Sequence, residues 1–176
     1  MLFLSVKEME ARKVRFDVTF PPGEIEFHDR KLRQITPLQV EGSAELMGVT
    51  QEIRVRGRLS VGMEADCDRC LEPAPFPLES EFDLFYRPSE ETAGDEKLLD
   101  EDESEIGFYE EGGLDLKDIM REQILLSLPM QRICDEACKG ICPVCGGNRN
   151  IAACGCHEKK LDDRWAALRE LKQQRP

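Results

Sequence analysis

The chain has 176 residues, a length that fits one domain or one domain with a small appended module. Aromatic residues make up only 6%, so a buried core must rely on Leu, Ile, Val and Met. The net charge of −12 comes almost entirely from residues 89–118, with 13 acidic and 2 basic side chains, whereas residues 129–176 carry 9 basic and 6 acidic ones. Composition therefore excludes a large basic nucleic-acid-binding patch but leaves room for a smaller basic surface near the C-terminus.

The N-terminal sequence does not resemble a targeting signal. Its apolar stretch, residues 1–6, is shorter than the core of a signal peptide, and charged residues follow at once. No segment approaches the roughly 20 apolar residues that span a bilayer. We therefore expect a cytoplasmic protein without membrane attachment. Thiols stay reduced in that compartment, so the eight cysteines indicate metal ligands or redox groups rather than disulfides.

Alternating apolar and polar residues predict antiparallel strands over residues 1–88, with one face buried and the other exposed. The first strand covers Val14–Phe20 and ends at Pro21. Three further stretches alternate over residues 38–46, 53–65 and 76–86. The residues expected to face the core are Leu38, Val40, Ala44, Leu46, Ile53, Val55, Leu59, Val61, Met63, Ala65, Phe76, Leu78, Phe82, Leu84 and Tyr86.

The segment over residues 89–113 breaks this pattern. Its centre, Asp100–Glu105, holds acidic residues at a density at which like charges repel, and few apolar side chains are available for burial. We expect a flexible acidic loop, which either has no partner or contacts a basic one.

The last segment, residues 114–176, is predicted to contain a helix, a cysteine-rich module and a short terminal helix. Asp115 can cap the first helix, Asp118 occupies the position of a capping-box acid, and Pro129 stops it. Asp162 or Asp163 can cap the terminal helix, whose apolar face carries Trp165, Leu168 and Leu171. The expected fold class is α+β, an antiparallel sheet with a packed helix and a small zinc module.

The cysteines fall into pairs with the spacing of metal ligands. Two thiolates from one tight turn supply half of a tetrahedral zinc site, and the proline and glycine around Cys142 and Cys145 suit such a turn. Spacing favours two structural zinc sites. The first would take Cys67, Cys70, Cys134 and Cys138, and the second Cys142, Cys145, Cys154 and Cys156.

Two alternatives to these zinc sites stay open. A single site drawn from the C-terminal cysteines would leave Cys67 and Cys70 free, and His157 could replace a cysteine. Cys67 and Cys70 also have the spacing of a dithiol, so a thiol-based redox protein is the alternative function, although two antiparallel strands are not the setting of a thioredoxin-like site. No phosphate loop, dinucleotide fingerprint or nucleophile elbow is present, so we expect no enzyme and no small-molecule substrate.

Several motifs, in this order, resemble the YceD family of bacteria and plastids. They are Cys67-Asp-Arg-Cys70-Leu71, Arg121-Glu-Gln-Ile-Leu-Leu-Ser-Leu-Pro-Met130, Cys138-Lys-Gly-Ile-Cys-Pro-Val-Cys-Gly146, Asn148, Asn150 and Asp163-Arg164. The resemblance implies a non-enzymatic ribosome-biogenesis factor that supports accumulation of large-subunit (23S-type) ribosomal RNA. Its partner would be a ribosomal RNA precursor or a ribosomal protein.

Basic side chains that could meet RNA phosphates lie in two places. Arg54, Arg56 and Arg58 form a row on one strand. The others surround the C-terminal cysteines and are Lys139, Arg149, Lys159 and Lys160, with Arg164 and Arg169 further along.

Overall fold

The structure, a computed structural model, describes residues 3–48, 51–89, 106–110 and 112–156. Several predictions fall outside these ranges: the terminal helix with Trp165, the acidic centre Asp100–Glu105, and the site residues His157, Lys159 and Lys160.

The described chain forms two sheets and two helices. The strands are β1 Phe3–Ser5, β2 Val14–Phe20, β3 Arg33–Gln34, β4 Leu38–Met47, β5 Glu52–Asp66, β6 Pro73–Pro88, β7 Ile106–Tyr109 and β8 Gly113–Asp115, and the helices are α1 Val6–Ala11 and α2 Leu116–Leu126. The main sheet has the order β2-β4-β5-β6-β7, with β3 paired to β5, and β1 pairs with β8 in a small second sheet. The fold is therefore α+β, as expected.

The predicted alternation is confirmed on the main sheet. Every residue expected to face the core is buried or half-buried, and their neighbours on the other face are mostly exposed. Strands β5 and β6 form a long antiparallel hairpin whose register runs from Ile53 opposite Tyr86 to Asp66 opposite Pro73. Because side chains alternate along β5, the inward register continues past the end of the strand to Cys67, which is fully buried.

Helix α2 covers the sheet as its periodicity predicts. Its buried stripe consists of Leu116, Ile119, Met120 and Ile124. The Asp115 side chain caps the helix by accepting a hydrogen bond from the backbone N–H of Lys117 (2.9 Å), whereas Asp118 forms an ion pair with Arg121 (2.8 Å). The helix ends at Leu126 and is followed by the C-cap residue Ser127, two residues before Pro129.

The range 89–113, predicted as a loop, contains regular structure. Ile106–Tyr109 pairs with β6 in parallel, so the sheet is mixed rather than wholly antiparallel. Tyr109 is buried, and its hydroxyl donates to the backbone carbonyl of Gln51 (2.8 Å). A strand of four residues is too short to show a period, and a parallel pair carries no hairpin turn to reveal it.

The N-terminal elements were not predicted either. Helix α1 has six residues, fewer than two turns, and β1 pairs with β8 just before α2. Leu4, Met9, Leu114 and the α2 stripe belong to the same hydrophobic cluster as the main sheet. The segments 1–88 and 114–126 thus share one core.

Candidate metal centres

The structure brings the eight cysteines together in the two groups of four that spacing favoured. The clip site consists of Cys67, Cys70, Cys134 and Cys138, and the knuckle site consists of Cys142, Cys145, Cys154 and Cys156. Within each group all four sulfur atoms lie within 4.8 Å of one another. The structure therefore does not show the alternative in which Cys67 and Cys70 remain outside a cysteine cluster.

The clip site joins two distant parts of the chain. Cys67 and Cys70 lie on the turn between β5 and β6, and Cys134 and Cys138 lie on the segment after α2. The sulfurs of Cys67 and Cys138 are 3.9 Å apart, and those of Cys70 and Cys134 are 3.6 Å apart. A tetrahedron with Zn–S bonds of about 2.3 Å has edges of about 3.8 Å, so the spacing matches a four-thiolate site.

Backbone hydrogen bonds hold both parts of the clip site in place. In the turn, the N–H of Leu71 donates to the carbonyl of Cys67 (2.9 Å), and Leu71 has a left-handed φ of 65°. Asp68 bonds the later segment twice: its N–H donates to the Arg132 carbonyl (2.8 Å), and its carboxylate accepts from the Arg132 N–H (2.7 Å). The turn and the segment after α2 are therefore positioned by the chain itself.

In two thiols of the clip site, hydrogen bonds to the sulfur outweigh the effect of burial and lower the pKa. Burial opposes ionisation of Cys67, but backbone N–H groups, that of Cys134 at 3.4 Å foremost, lower the pKa of this thiol to about 6. The side-chain amide of Asn150 donates to the Cys138 sulfur (3.3 Å) and lowers the pKa of that thiol. The thiols of Cys67 and Cys138 are thus the readily ionised members of the site.

The other two thiols of the clip site resist ionisation. The sulfur of Cys70 raises the pKa of the Cys134 thiol to about 12, with burial adding to the effect. A backbone hydrogen bond at Glu72 lowers the pKa of Cys70, but burial and the sulfurs of Cys67 and Cys138 together outweigh it, so this pKa is also raised. Four neighbouring thiolates repel one another, so full ionisation of the site is unfavourable without a metal. A bound cation neutralises this repulsion.

The knuckle site is built locally. The N–H of Cys142 donates to the carbonyl of Gly147 and the N–H of Gly146 to the carbonyl of Cys142, both at 2.8 Å. Gly146 has a φ of 72°, which confirms the predicted need for glycine after the second cysteine. Backbone N–H groups of Cys145 and Val144 lower the pKa of Cys142 to about 6, whereas the sulfur of Cys145 raises that of Cys156 to about 12.

The two sites differ in exposure. Cys67, Cys70 and Cys138 are buried in the clip site, whereas only Cys142 is buried in the knuckle site. Four thiolates at tetrahedral spacing suit Zn²⁺ and other thiophilic ions. A site closed by four protein ligands has no open coordination position for a substrate, so this arrangement fits an architectural role.

The candidate RNA-binding arginines of β5 stand among carboxylates. Arg54 forms a bidentate pair with Asp83 (2.8 and 2.6 Å), and Arg58 pairs with Glu41 (2.7 Å). The Arg54 guanidinium also lies 5.4 Å from the centre of the Phe85 ring. Arg56 is exposed, with an acidic residue opposite it on β6.

Lys139 and Arg149 are exposed and lie next to the clip site. The two asparagines of the motif, Asn148 and Asn150, make contacts that sequence reasoning did not foresee. Asn150 contacts a clip-site sulfur, and Asn148 donates to the Glu72 carboxylate (3.3 Å). Their position in the sequence between two cysteine pairs was the signal that could have indicated these contacts.

Among the described residues, no helix is long and apolar enough to cross a membrane.

Comparison with known proteins gives one family and several relatives. The family model described as "Large ribosomal RNA subunit accumulation protein YceD" matches residues 55–172. The "Uncharacterized protein YlbN" of Bacillus subtilis is 26% identical over 171 residues, which cover 95% of this chain and 92% of the relative. No solved structure matches.

Two other relatives are longer than this chain. The "Large ribosomal RNA subunit accumulation protein YCED homolog 1, chloroplastic" of Arabidopsis thaliana is 29% identical over 161 residues, 79% of this chain and 50% of the relative. The "Uncharacterized protein Rv2926c" of Mycobacterium tuberculosis is 29% identical over 124 residues, 70% of this chain and 57% of the relative. The matched region thus covers only 50% and 57% of these two relatives.

Proposed function

The chain belongs to the YceD family, and on that basis we propose that it supports accumulation of large-subunit (23S-type) ribosomal RNA as a binding protein rather than an enzyme. The plastid relative carries this role in its name. The two closed thiolate groups support the non-enzymatic part, because they offer no open position for a substrate. The proposed partner is a ribosomal RNA precursor or a ribosomal protein in the cytoplasm.

We further propose that each cysteine group holds one structural Zn²⁺. The sulfur spacing carries this proposal, since both sets are compact enough for a single ion. When bound, zinc would supply cohesion between the β5–β6 turn and residues 131–156. The chain contributes the ligands, the N–H···S hydrogen bonds that favour thiolates, and the Asp68–Arg132 contacts that align the two segments.

The surface proposed to contact RNA is the end of the molecule that carries the metal sites. Lys139 and Arg149 are exposed there, and neither forms an ion pair within the described ranges. On β5, by contrast, Arg54 and Arg58 already neutralise carboxylates, so an RNA phosphate would have to compete with Asp83 and Glu41. RNA contact by the β5 row stays a prediction, and a comparison of the two surfaces tests it.

The test of RNA association uses purified protein and large-subunit ribosomal RNA at several salt concentrations. Replacement of Lys139 and Arg149 by Ala should weaken binding and reduce the slope of log affinity against log salt by roughly 2, about one for each lost phosphate contact. The control, Arg54, Arg56 and Arg58 to Ser, should leave the slope unchanged. A slope that changes only in the control would indicate that RNA contacts the strand face instead.

The cellular test is complementation of a strain that lacks the gene. The wild-type chain should restore the level of large-subunit relative to small-subunit ribosomal RNA, and the Lys139/Arg149 variant should restore it less. No deficit in the deletion strain would contradict the proposed role.

Zinc content and thiol reactivity separate the proposal from the redox alternative. A redox dithiol must be accessible to its partner, whereas Cys67 and Cys70 are only 0% and 4% exposed. Native mass spectrometry should find two zinc ions, and alkylation of the same sample should find no reactive thiols. One zinc with rapid alkylation of Cys67 and Cys70 would instead support the redox function.

A further inference from the structure

Within the described residues, the short linker between Cys138 and Cys142 connects the two metal sites, and a second stretch of backbone also reaches from one site to the other. We name residues 146–153 the bridging loop, because they join Cys145 to Cys154 and thus begin and end at ligands of the knuckle site. The middle of the loop, however, contacts the clip site. A loop whose ends belong to one site and whose middle belongs to the other can transmit occupancy between them.

Asn150 makes the direct contact with the clip site. Its amide nitrogen donates to the Cys138 sulfur (3.3 Å), and its amide oxygen accepts from the backbone N–H of Lys139 (2.7 Å). The backbone N–H of Asn150 donates to the Asn148 side chain (2.9 Å), which fixes the local turn. Both ends of the Asn150 amide are therefore used, and its orientation toward the sulfur is determined by the Lys139 contact.

Three further contacts hold the bridging loop against its neighbours. Asn148 and Ile141 form an antiparallel bridge, and the N–H of Arg149 donates to the carbonyl of Gly140 (2.9 Å). The Asn148 amide donates to the carboxylate of Glu72, on the turn that carries two clip-site ligands. The loop thus touches both halves of the clip site.

We propose that Asn150 couples the two metal sites, so that metal at the knuckle site strengthens metal binding at the clip site; this inference rests on the zinc sites proposed above. A metal at the knuckle site holds Cys145 and Cys154 together and closes the bridging loop. The closed loop presents the Asn150 amide to the Cys138 sulfur. Without that metal the loop loses a constraint at both ends, and the clip site loses a hydrogen-bond donor.

Coupling of this kind is reciprocal. If the knuckle metal raises affinity at the clip site by some factor, metal at the clip site raises affinity at the knuckle site by the same factor. Loss of an outer hydrogen bond to a metal ligand costs about 10–100-fold in metal affinity, which sets the size of the expected effect.

The experiment is a double-mutant cycle on the full chain with zinc and a competing chelator. Its variants are Asn150→Ala, the pair Cys145→Ser and Cys154→Ser, and the combination. The sites are resolved by mapping which cysteines become alkylated as zinc is withdrawn. Ile151→Ala is the matched control, because this neighbouring side chain is 78% exposed.

Asn150→Ala and the cysteine-pair variant should each lower the zinc affinity of the clip site about 10-fold or more. The combined variant should lose no more affinity than the more strongly affected of these two variants. Asn150→Asp keeps an oxygen for the Lys139 N–H but removes the donor to sulfur, so it should lower affinity as Asn150→Ala does. If Asn150 only fixed the shape of the loop, the Asn150→Asp variant would instead keep the clip-site affinity of the wild type.

Cobalt provides a second measurement that does not depend on stability. Co²⁺ in the clip site should show a shifted sulfur-to-metal absorption band in Asn150→Ala and an unchanged band in Ile151→Ala. Equal clip-site affinity in wild type, Asn150→Ala and the cysteine pair would overturn the coupling while leaving two zinc sites intact. Absence of bound zinc from the wild-type protein would overturn both proposals.

Discussion

Gly140 lies where the linker between the two metal sites passes the Cys67–Cys70 turn. Its φ is +68°, and a Cβ there would lie 2.9 Å from the carbonyl oxygen of Arg69. The same carbonyl accepts the N–H of Ile141 (2.9 Å), so it cannot move away without losing that hydrogen bond. Both the backbone conformation and the available space therefore require glycine.

Gly140→Ala should destabilise the zinc-loaded protein by about 1–3 kcal/mol, because it adds left-handed strain and a close contact. Urea unfolding of the wild type and the variant measures this difference. Gly155→Ala is the matched control, since a Cβ there meets nothing within 4 Å and its φ is not left-handed. Equal losses for the two variants would show that the Arg69 contact is unimportant.

The four thiols of the clip site differ in how readily they give up protons. The pKa of Cys67 is lowered to about 6 and that of Cys138 is also lowered, whereas the pKa values of Cys70 and Cys134 are raised. A thiol with a lowered pKa remains a thiolate until the pH falls through that value. A metal that binds at pH 8 therefore displaces protons from Cys70 and Cys134 but not from Cys67.

Zinc binding to the clip site should release fewer than four protons at pH 8, because Cys67 is already a thiolate there, and more below about pH 6, where Cys67 also becomes protonated. Affinity consequently falls as pH falls, and it falls more steeply below about pH 6. The slope of log affinity against pH gives the number of protons released on zinc binding. It is measured in the variant that lacks Cys145 and Cys154. Release of four protons at pH 8 would show that the N–H···S bonds do not stabilise thiolates.

Helix α2 contributes to the fold through one buried stripe. Ile124 is 0% exposed near the end of that stripe, whereas Leu126, two residues on, is 74% exposed. At the same end, the hydroxyl of Ser127 donates to the hydroxyl of Ser80 on β6 (3.0 Å), which anchors the helix to the sheet. The segment that carries Cys134 begins a few residues later, so the helix positions half of the clip site.

Ile124→Ala should cost about 2–5 kcal/mol of unfolding free energy, because it removes buried methyl groups and leaves a cavity. Leu126→Ala should change stability by less than about 0.5 kcal/mol, since that side chain is already in solvent. Thermal or urea unfolding compares the two. A large loss in Leu126→Ala alone would indicate that this exposed residue is covered in solution.

The elements that could be predicted from sequence are those with enough residues to display a period. Strands β4 to β6 and helix α2 each present several apolar residues on one face, and the register of β5 even placed Cys67 inward. Helix α1 and strands β1, β7 and β8 have six residues or fewer, and their existence depends on partners distant in sequence. The cysteine pairs were predictable for a related reason, because two cysteines at ligand spacing bring their own turn. Spacing alone did not decide which pairs share a site, since the clip site joins pairs that are distant in sequence.

The contacts around the sulfurs could not be predicted in this way. That Asn150 donates to Cys138 depends on how the bridging loop folds back, and that Arg54 and Arg58 pair with carboxylates depends on strand register. Both are properties of tertiary structure. A row of arginines along β5 looks basic in sequence, but the neighbouring strands place acids beside it.

At the scale of the whole molecule, the sheet and α2 form one apolar cluster, whereas three of the clip-site cysteines, Cys67, Cys70 and Cys138, belong to a separate small cluster with Ala74. The main core contains none of the proposed metal ligands. Residues 131–156 are therefore expected to be held chiefly by the proposed metal ions and by hydrogen bonds, while the sheet is held by apolar burial.

Removal of zinc with a chelator should accordingly loosen residues 131–156 and leave the sheet folded. Limited trypsin digestion should then cut after Lys139 and Arg149, while sites within β5 such as Arg56 stay protected. Far-ultraviolet circular dichroism should retain its strand signal. Simultaneous loss of protection in β5 would show that the metal sites support the entire fold.

The sequence separation within the clip site has a consequence for the order of assembly during translation. Cys70 and Cys134 are 64 residues apart. At roughly 5–20 residues per second the first pair of thiols emerges about 3–13 s before the second. The nascent chain thus presents an incomplete ligand set until α2 has been made, whereas the knuckle ligands emerge nearly together. The four-thiolate coordination proposed for the clip site can therefore be completed only after the sheet and α2 have been synthesised.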